Sequence, residues 1–525
     1  MTVQSFATTG QANDPRLRLD EIQGDVLVGL QKDAECFLFF TITDAPAFKA
    51  ALRNAVAFQI TSTSDVLRRE SQIAAAKAAG VQTRFHFLGL NLGFTYRGLE
   101  VLLQQQDFGG ALPGFDAAFR AGAKERGAAL GDDPAAWRAP FAEGAVDGVL
   151  LITGPSKDTV EAHTASILAM FKDSLQEVCR EMGAVRPQRA HEHFGFLDGI
   201  SQPGIRGLTA RENPLNPEHG IPGQELIWPG EFVFGYPGQV EPSDERPTTK
   251  REEGPVVVPP ARWMKDGSLM VWRRLEQRVL AFREMVKNEA ARLGMDSGLL
   301  AARMVGRWPS GAPLLLAPMQ DDPLLGADKM RSNDFDFGPD PHQRRCPYAA
   351  HIRKTYPRDD LNDAGPPALA GESGEASVQT RRIRRAGIPF GPEIAADEKI
   401  GAEQSRGLMF VCYQTSIVEQ FEFIQQSWSN NPGFVFGKVR PTGGNVTPGH
   451  DPIIGQVNGQ RQMDEPVPNY PTGNVRSQAE LNEQFVHATA GSYFFMPSVS
   501  ALRHGPLVSD VAMVQADTEM AESTD

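Results

Sequence analysis

The sequence predicts an α+β fold built from two related domains. Three observations point there. At 525 residues the chain is longer than one ordinary core sustains. Strand-then-helix units recur in both halves at irregular spacing, which argues against a single doubly wound sheet. A content of 41% hydrophobic and 22% charged residues is that of a globular protein and excludes a disordered or fibrous one.

Residues 1–16 read as a disordered lead. IQGDVLVGL (22–30) and CFLFFTI (36–42) read as strands. The second runs into a helix, with Asp44 as N-cap before Ala45 and Pro46. RFHFLGLNL (84–92) reads as a strand, TYRGLEVLLQQ as a helix and GVLLITG (148–154) as a strand. Ser156 then caps a helix running to about Phe171. In the second half SLMVWRRL (268–275) is strand-like. Val279, Phe282, Val286, Ala290 and Leu293 follow at spacings of three and four, an amphipathic helix closed by Gly294. LMFVCYQ (408–414) is strand-like and SIVEQFEFIQQSW helical. The Pro/Gly/Glu-rich stretch near 209–260 is a candidate connection, and 355–380 and 429–475 read as long loops. The division expected is 17–207 and 208–507, with a loose acidic tail at 508–525.

The net charge of −13 argues against a nucleic-acid partner and against an anionic membrane surface. No run of about 18 apolar residues suggests a membrane span. The N-terminal stretch has no basic region followed by an apolar one and no twin arginine, so a cytoplasmic location is expected. Cys36, Cys179, Cys346 and Cys412 form no CxxC pair and no CxxCH, so reduced thiols are expected, without structural zinc or covalently attached haem.

Four stretches carry chemistry. In HEHFGFLDGISQP (191–203), Asp198 stands between Leu197 and Gly199-Ile200, bracketed by Gly195 and Gly199. A carboxylate in a glycine-flanked apolar turn is a candidate acid or base; the alternative is a capping Asx turn. In CPYAAHIRKTYPR (346–358), His351 follows two alanines among Arg344, Arg345, Arg353 and Lys354. It reads as an iron ligand with room for a macrocycle and cations for its carboxylates, or as a surface histidine in a basic patch. RRIRRAGIPFGP (381–392) holds four arginines before a turn, fixed charges that can each donate several hydrogen bonds, or else a solvated charge run or an anion site. In RGLMFVCYQ (406–414), Leu408, Phe410 and Cys412 share one side, as a pocket wall or as plain core.

GFLDGISQP, CPYAAHIRK and RRAGIPFGP, in this order, resemble the signature blocks of the dye-decolorizing peroxidases. IQGDVLVGL, PGEFVFGY, GSLMVWRRLEQ, VGRWPSGAPL and NDFDFG extend the resemblance from about residue 20 to about residue 500, closest to the larger fungal-like and cyanobacterial-like branches. The resemblance implies two ferredoxin-like domains with antiparallel sheets and peripheral helices, and non-covalent haem b held mainly by the second. It implies oxidation of dyes, phenolics and other one-electron donors by hydrogen peroxide through a ferryl intermediate. It makes His351 the proximal iron ligand and Asp198 the distal acid-base group. Arg385, four positions before Pro389, becomes the distal arginine, with Arg384 the lesser candidate. Leu408 and Phe410 become pocket residues, and Gly199 and Ile200 join them against the cofactor. PPALAGESGEAS, between His351 and Arg385, reads as an insertion.

Trp428, Tyr413 and Tyr348 are candidates for relaying electrons from bulky donors, or ordinary packing aromatics. Glu419 or Glu422 is a candidate partner of the His351 ring, or a solvent-facing acid. An aspartate base implies an acidic pH optimum. Two rival readings remain. His191 and His193 with Glu192 and Asp198 could form a metal-hydrolase cluster, for which no further ligand is evident. A haem-handling protein could use the same pocket with little turnover. The tail carries no apolar docking motif, so a free protein is expected, monomer or dimer.

Overall fold

The computed structural model describes residues 14–81, 85–103, 114–242, 252–362, 372–440, 443–457, 461–466, 476–481 and 483–509. Its main sheet takes four strands from the first half: β1 (Ala34–Ile42), β2 (Gly89–Phe94), β3 (Gly148–Gly154) and β4 (Leu175–Ala184). The second half supplies β5 (Ser268–Gln277), β6 (Arg384–Arg385), β7 (Ile388–Phe390), β8 (Gly407–Gln414) and β9 (Val486–Met496). The strands β6 and β7 run along one side of β8 as a single interrupted strand.

The first half is ordered β4-β1-β3-β2 and the second β9-β5-β8-β7, all antiparallel. Counting strands within each half, the same order occurs twice. The halves meet at both edges, through Phe390 opposite Gly183 and Phe495 opposite Phe94, and the sheet closes into a barrel. At the first seam a Cβ on Gly183 would lie 2.4 Å from the Ile388 side chain, so only glycine lets the edges approach this closely.

Phe37, Phe39, Trp272 and Phe494 fill the interior from both halves, with the Phe39 and Trp272 rings 4.7 Å apart. Each phenylalanine buried in this way contributes about 1.5–3 kcal/mol. The outer face is covered by helices Ala45–Asn54 and Lys157–Phe171, whose Phe48 and Phe171 rings stack. Cover on both faces is why the strands read as continuous apolar runs. The caps lie where the sequence puts them: Asp44 accepts from the Ala47 amide, Ser156 from the Thr159 amide, and Gly294 is left-handed. No described helix is long and apolar enough to cross a membrane.

Some expectations are corrected. IQGDVLVGL is not a strand; Gly24–Leu27 form one helical turn. Ile22, Val26 and Leu27 bury at helical spacing, while the Gln23 amide bonds the Leu92 backbone and Asn91 takes the Asp25 amide, so side chains replace a ladder. The two long loops contain structure: Glu372–Gln379 is helical, taking in the end of PPALAGESGEAS, and Arg461–Pro466 pairs with Arg476–Leu481. The lead at 1–13 and the tail from 510 lie outside the described residues. Asp14 nevertheless pairs with Arg211 at 2.6 Å and Val508 is buried, so order reaches past both expected edges.

Candidate active site

A single cavity brings together Asp198, Gly199, Ile200, His351, Arg385, Leu408 and Phe410. Each arrives on a different element. Asp198 ends a tight turn in which its amide bonds the Ala190 carbonyl at 2.8 Å and His191 bridges Leu197. Gly195 (φ +105°) and Gly199 (φ +82°) supply the left-handed conformations this turn needs, and a Cβ at either would meet nothing within 4 Å. At Gly199, which lines the cavity, that space is open to it.

The Asp198 carboxylate accepts from the Gly199 amide at 2.6 Å and from the Arg385 guanidinium at 2.9 Å. It is more than a turn cap, since its side chain stays 40% exposed to the cavity. Burial pushes this carboxyl up. Arg385, the Gly199 amide and the nearby His351 outweigh that and hold it below its ordinary range.

The arginine run separates by strand alternation. Arg385 faces the cavity, its backbone clasped by Gln202. Arg384 points the other way and donates to the carbonyls of Leu27 and Val28, which removes it as the alternative partner. Arg381 pairs with Glu241 and Glu419, and Arg382 lies over the Tyr356 ring.

His351 opens a short helix, His351–Thr355. Its Nδ1 meets Asp451 Oδ2 at 2.9 Å, which assigns the proton to Nδ1 and leaves the Nε2 lone pair without a protein hydrogen bond among the described residues. Burial alone would raise the Asp451 carboxyl; His351 and the amides of Ile453 and Ile454 hold it low instead. Sequence reasoning missed Asp451, 100 residues downstream in a segment without periodic signal. Neither expected acid partners the ring: Glu419 is exposed, and Glu422 is bound by Arg126 and Tyr493.

The cations nearest in sequence are also corrected. Arg353 is buried against Asp360, and Lys354 donates to the carbonyls of Trp428 and Asn431. Both side chains are taken up by these partners, and neither lines the cavity. The cavity is lined instead by Arg307 and Arg358, buried, without a carboxylate partner among the described residues, and bonded to Asn333. Burial and Arg358 push the Arg307 guanidinium down to about 9. Cys412 lies in the core and does not line the cavity. Trp428, Tyr413 and Tyr348 are all buried: Trp428 stacks on Phe434, Tyr413 donates to Asp25 and Tyr348 to the Pro341 carbonyl. None of the three offers a surface to a bulky donor.

The metal-hydrolase reading loses its geometry. His193 Nε2 bonds the Phe390 carbonyl, burial pushes this ring down to about 4, and His191 bonds the Arg189 carbonyl. No trio of His, Cys, Asp or Glu among the described residues is grouped to hold a metal ion.

The donor set does fit an iron porphyrin. It offers one free imidazole nitrogen, apolar walls at Ile200, Leu408 and Phe410, and two buried guanidiniums lacking an anion. A carboxylate that orients a ligating imidazole also raises its basicity. Asp451→Ala is therefore expected to weaken haem binding about 10- to 100-fold, read by titrating haem into apoprotein.

Residues 21–187 match the family model described as DyP dimeric alpha+beta barrel domain. Peroxidase 2 of Mycetinis scorodonius is 37% identical over 93% of this chain and 87% of its own. The structure of an ancestral D-type dye decolorizing peroxidase superposes with a TM-score of 0.77 at 38% identity, covering 94% of this chain and all of that one. A dye-decolorizing peroxidase solved in complex with 2,6-dimethoxyphenol gives 0.72 at 35% identity, with 94% and 100% covered.

Proposed function

Since this chain belongs to the dye-decolorizing peroxidase family of hydrogen-peroxide-dependent oxidoreductases, we propose that its cavity holds non-covalent haem b on His351 and activates peroxide with Asp198 and Arg385. The observation that carries this reading is the 2.9 Å Asp198–Arg385 pair in the same cavity as an imidazole whose Nδ1 is bound by Asp451.

The haem, when bound, supplies the redox chemistry. The chain supplies proton handling and charge. Asp198, ionised, takes the proton from one peroxide oxygen and returns it to the other, which leaves as water. Arg385 places fixed positive charge where negative charge grows as the O–O bond breaks. Asp451 holds the His351 ring. Ile200, Gly199, Leu408 and Phe410 wall the cofactor, and Arg307 and Arg358 take its two carboxylates. The reducing substrates are dyes and phenolics of the class represented by 2,6-dimethoxyphenol in the relative's complex. The recurring strand order supports reading 17–207 and 208–507 as two ferredoxin-like units fused along both sheet edges.

The test is an absorption spectrum of purified protein before and after one equivalent of hydrogen peroxide, followed by turnover of 2,6-dimethoxyphenol. A Soret band that peroxide converts within milliseconds, with turnover, is expected. A Soret band indifferent to peroxide would leave a haem-handling protein, and no Soret band after haem addition would end the proposal. Arg385→Ala is expected to keep the Soret band and lose about 10²- to 10³-fold in kcat/KM for peroxide.

A further inference from the structure

We infer that Glu192 is a positioning residue for Asp198: its half-buried carboxylate folds the turn that delivers the acid to the cavity. The inference rests on the acid-base role proposed for Asp198.

Glu192 lies six residues before Asp198 and also lines the cavity. Its two oxygens divide the work. Oε2 accepts from the Phe194 amide and Oε1 from the Phe196 amide, both at 2.8 Å. Its own amide and carbonyl close the same turn, through the Phe196 carbonyl and the Gly195 amide. Gln277, on β5, donates to Oε2 and fastens the turn to the barrel wall. A carboxylate accepts two amides at once; a glutamine would turn its NH2 group toward one of them.

No lysine or arginine bonds this carboxylate among the described residues; Arg186 reaches the His191 and Glu192 carbonyls instead. A carboxylate drawn out of water and held by neutral donors alone is costly. Gln277 and the two amides offset that cost in part, while burial, with Asp198 adding to it, pushes the Glu192 carboxyl above its ordinary range. Asp198 is a charged group acting on Glu192, and Arg385 and His351 act on Asp198. Two carboxyls therefore face one cavity. The first shapes the turn and the second handles the proton; with Glu192 held above its ordinary range and Asp198 below, Glu192 is already neutral where Asp198 titrates.

The test uses haem-loaded Glu192→Ala, Glu192→Gln and Asp198→Asn. The readouts are Soret intensity, kcat/KM for peroxide against pH, and cyanide affinity against pH. Hydrogen cyanide must give up its proton to bind ferric haem, so cyanide affinity reports the protonation of Asp198 without turnover. Glu192→Ala is expected to keep its Soret band and lose about 10²-fold in kcat/KM, the effect of a misplaced acid. Glu192→Gln is expected to recover part of that loss, because its amide oxygen still accepts one of the two backbone amides, and to leave the acid limb of cyanide affinity where it stands in wild type. Wild-type kcat/KM in Glu192→Ala, or no recovery in Glu192→Gln, would overturn the inference. Should the alanine variant not fold, the glutamine variant decides alone: kcat/KM equal to wild type would overturn the inference. Asp198→Asn indistinguishable from wild type would overturn the Asp198 assignment itself, an outcome distinct from failure at Glu192.

Discussion

His351→Ala is expected to lose haem. In the proposed site the imidazole is the one protein bond to iron, and its removal leaves the cofactor to apolar walls and two arginines. The change also strands Asp451. That carboxylate is fully buried, and without the ring its hydrogen bonds among the described residues are those from the amides of Ile453 and Ile454. A buried charge that loses its partner is destabilising, so the segment around 451 should loosen as well. The measurement is Soret absorbance per polypeptide after haem addition, with and without imidazole. Near-complete loss, partly restored by imidazole, is the expected outcome. An unchanged Soret band would remove His351 as the ligand.

Asp198→Ala is expected to keep haem and lose about 10²- to 10⁴-fold in kcat/KM for peroxide, the range for removing a general base. The pH dependence follows from the direction of its shift. Asp198 must be ionised to accept a proton, and Arg385 with the Gly199 amide holds it ionised below the usual carboxylate range. Activity should therefore persist into acid and fall only as pH drops through that lowered value. The pair's contribution to stability has the same sign: present above the ordinary carboxylate range and lost as pH falls through the folded value. An optimum above about pH 8 would count against the assignment, because a carboxylate base gains nothing there.

How far the chain could be read from its residues depended on whether the signal was local. The caps at Asp44, Ser156 and Gly294 are local chemistry, and each lies where it was read. Asp198, His351 and Arg385 were legible because each stands in a dense local block. Their convergence was not legible from any one block, since the segments lie far apart in sequence. The reading at 22–30 failed because a short apolar run does not distinguish a strand from a buried turn. Gln23 and Asn91, which settle it, act on backbone far away in sequence. β4 was not foreseen: LQEVCREMGA carries charges on its outward face, and Arg180 is held by Glu161 and Glu177. Asp451 was missed for the same reason. Its partner is 100 residues away, and nothing beside it announces a histidine.

The seams of the barrel bear on how the site works. Within each half the ladders are long: β1 and β3 hold seven consecutive pairs, whereas each seam holds one. Short pairings are where a sheet opens first. One seam runs directly beside the proton-handling groups. Phe390 makes the seam pair, accepts from His193 in the Asp198 turn, and ends the interrupted strand that carries Arg385. Acid and guanidinium therefore stand on opposite banks of one of the barrel's two single-pair seams. Their spacing is governed by tertiary packing, so a load applied at Gly183 would be felt as a change in the gap through which peroxide passes.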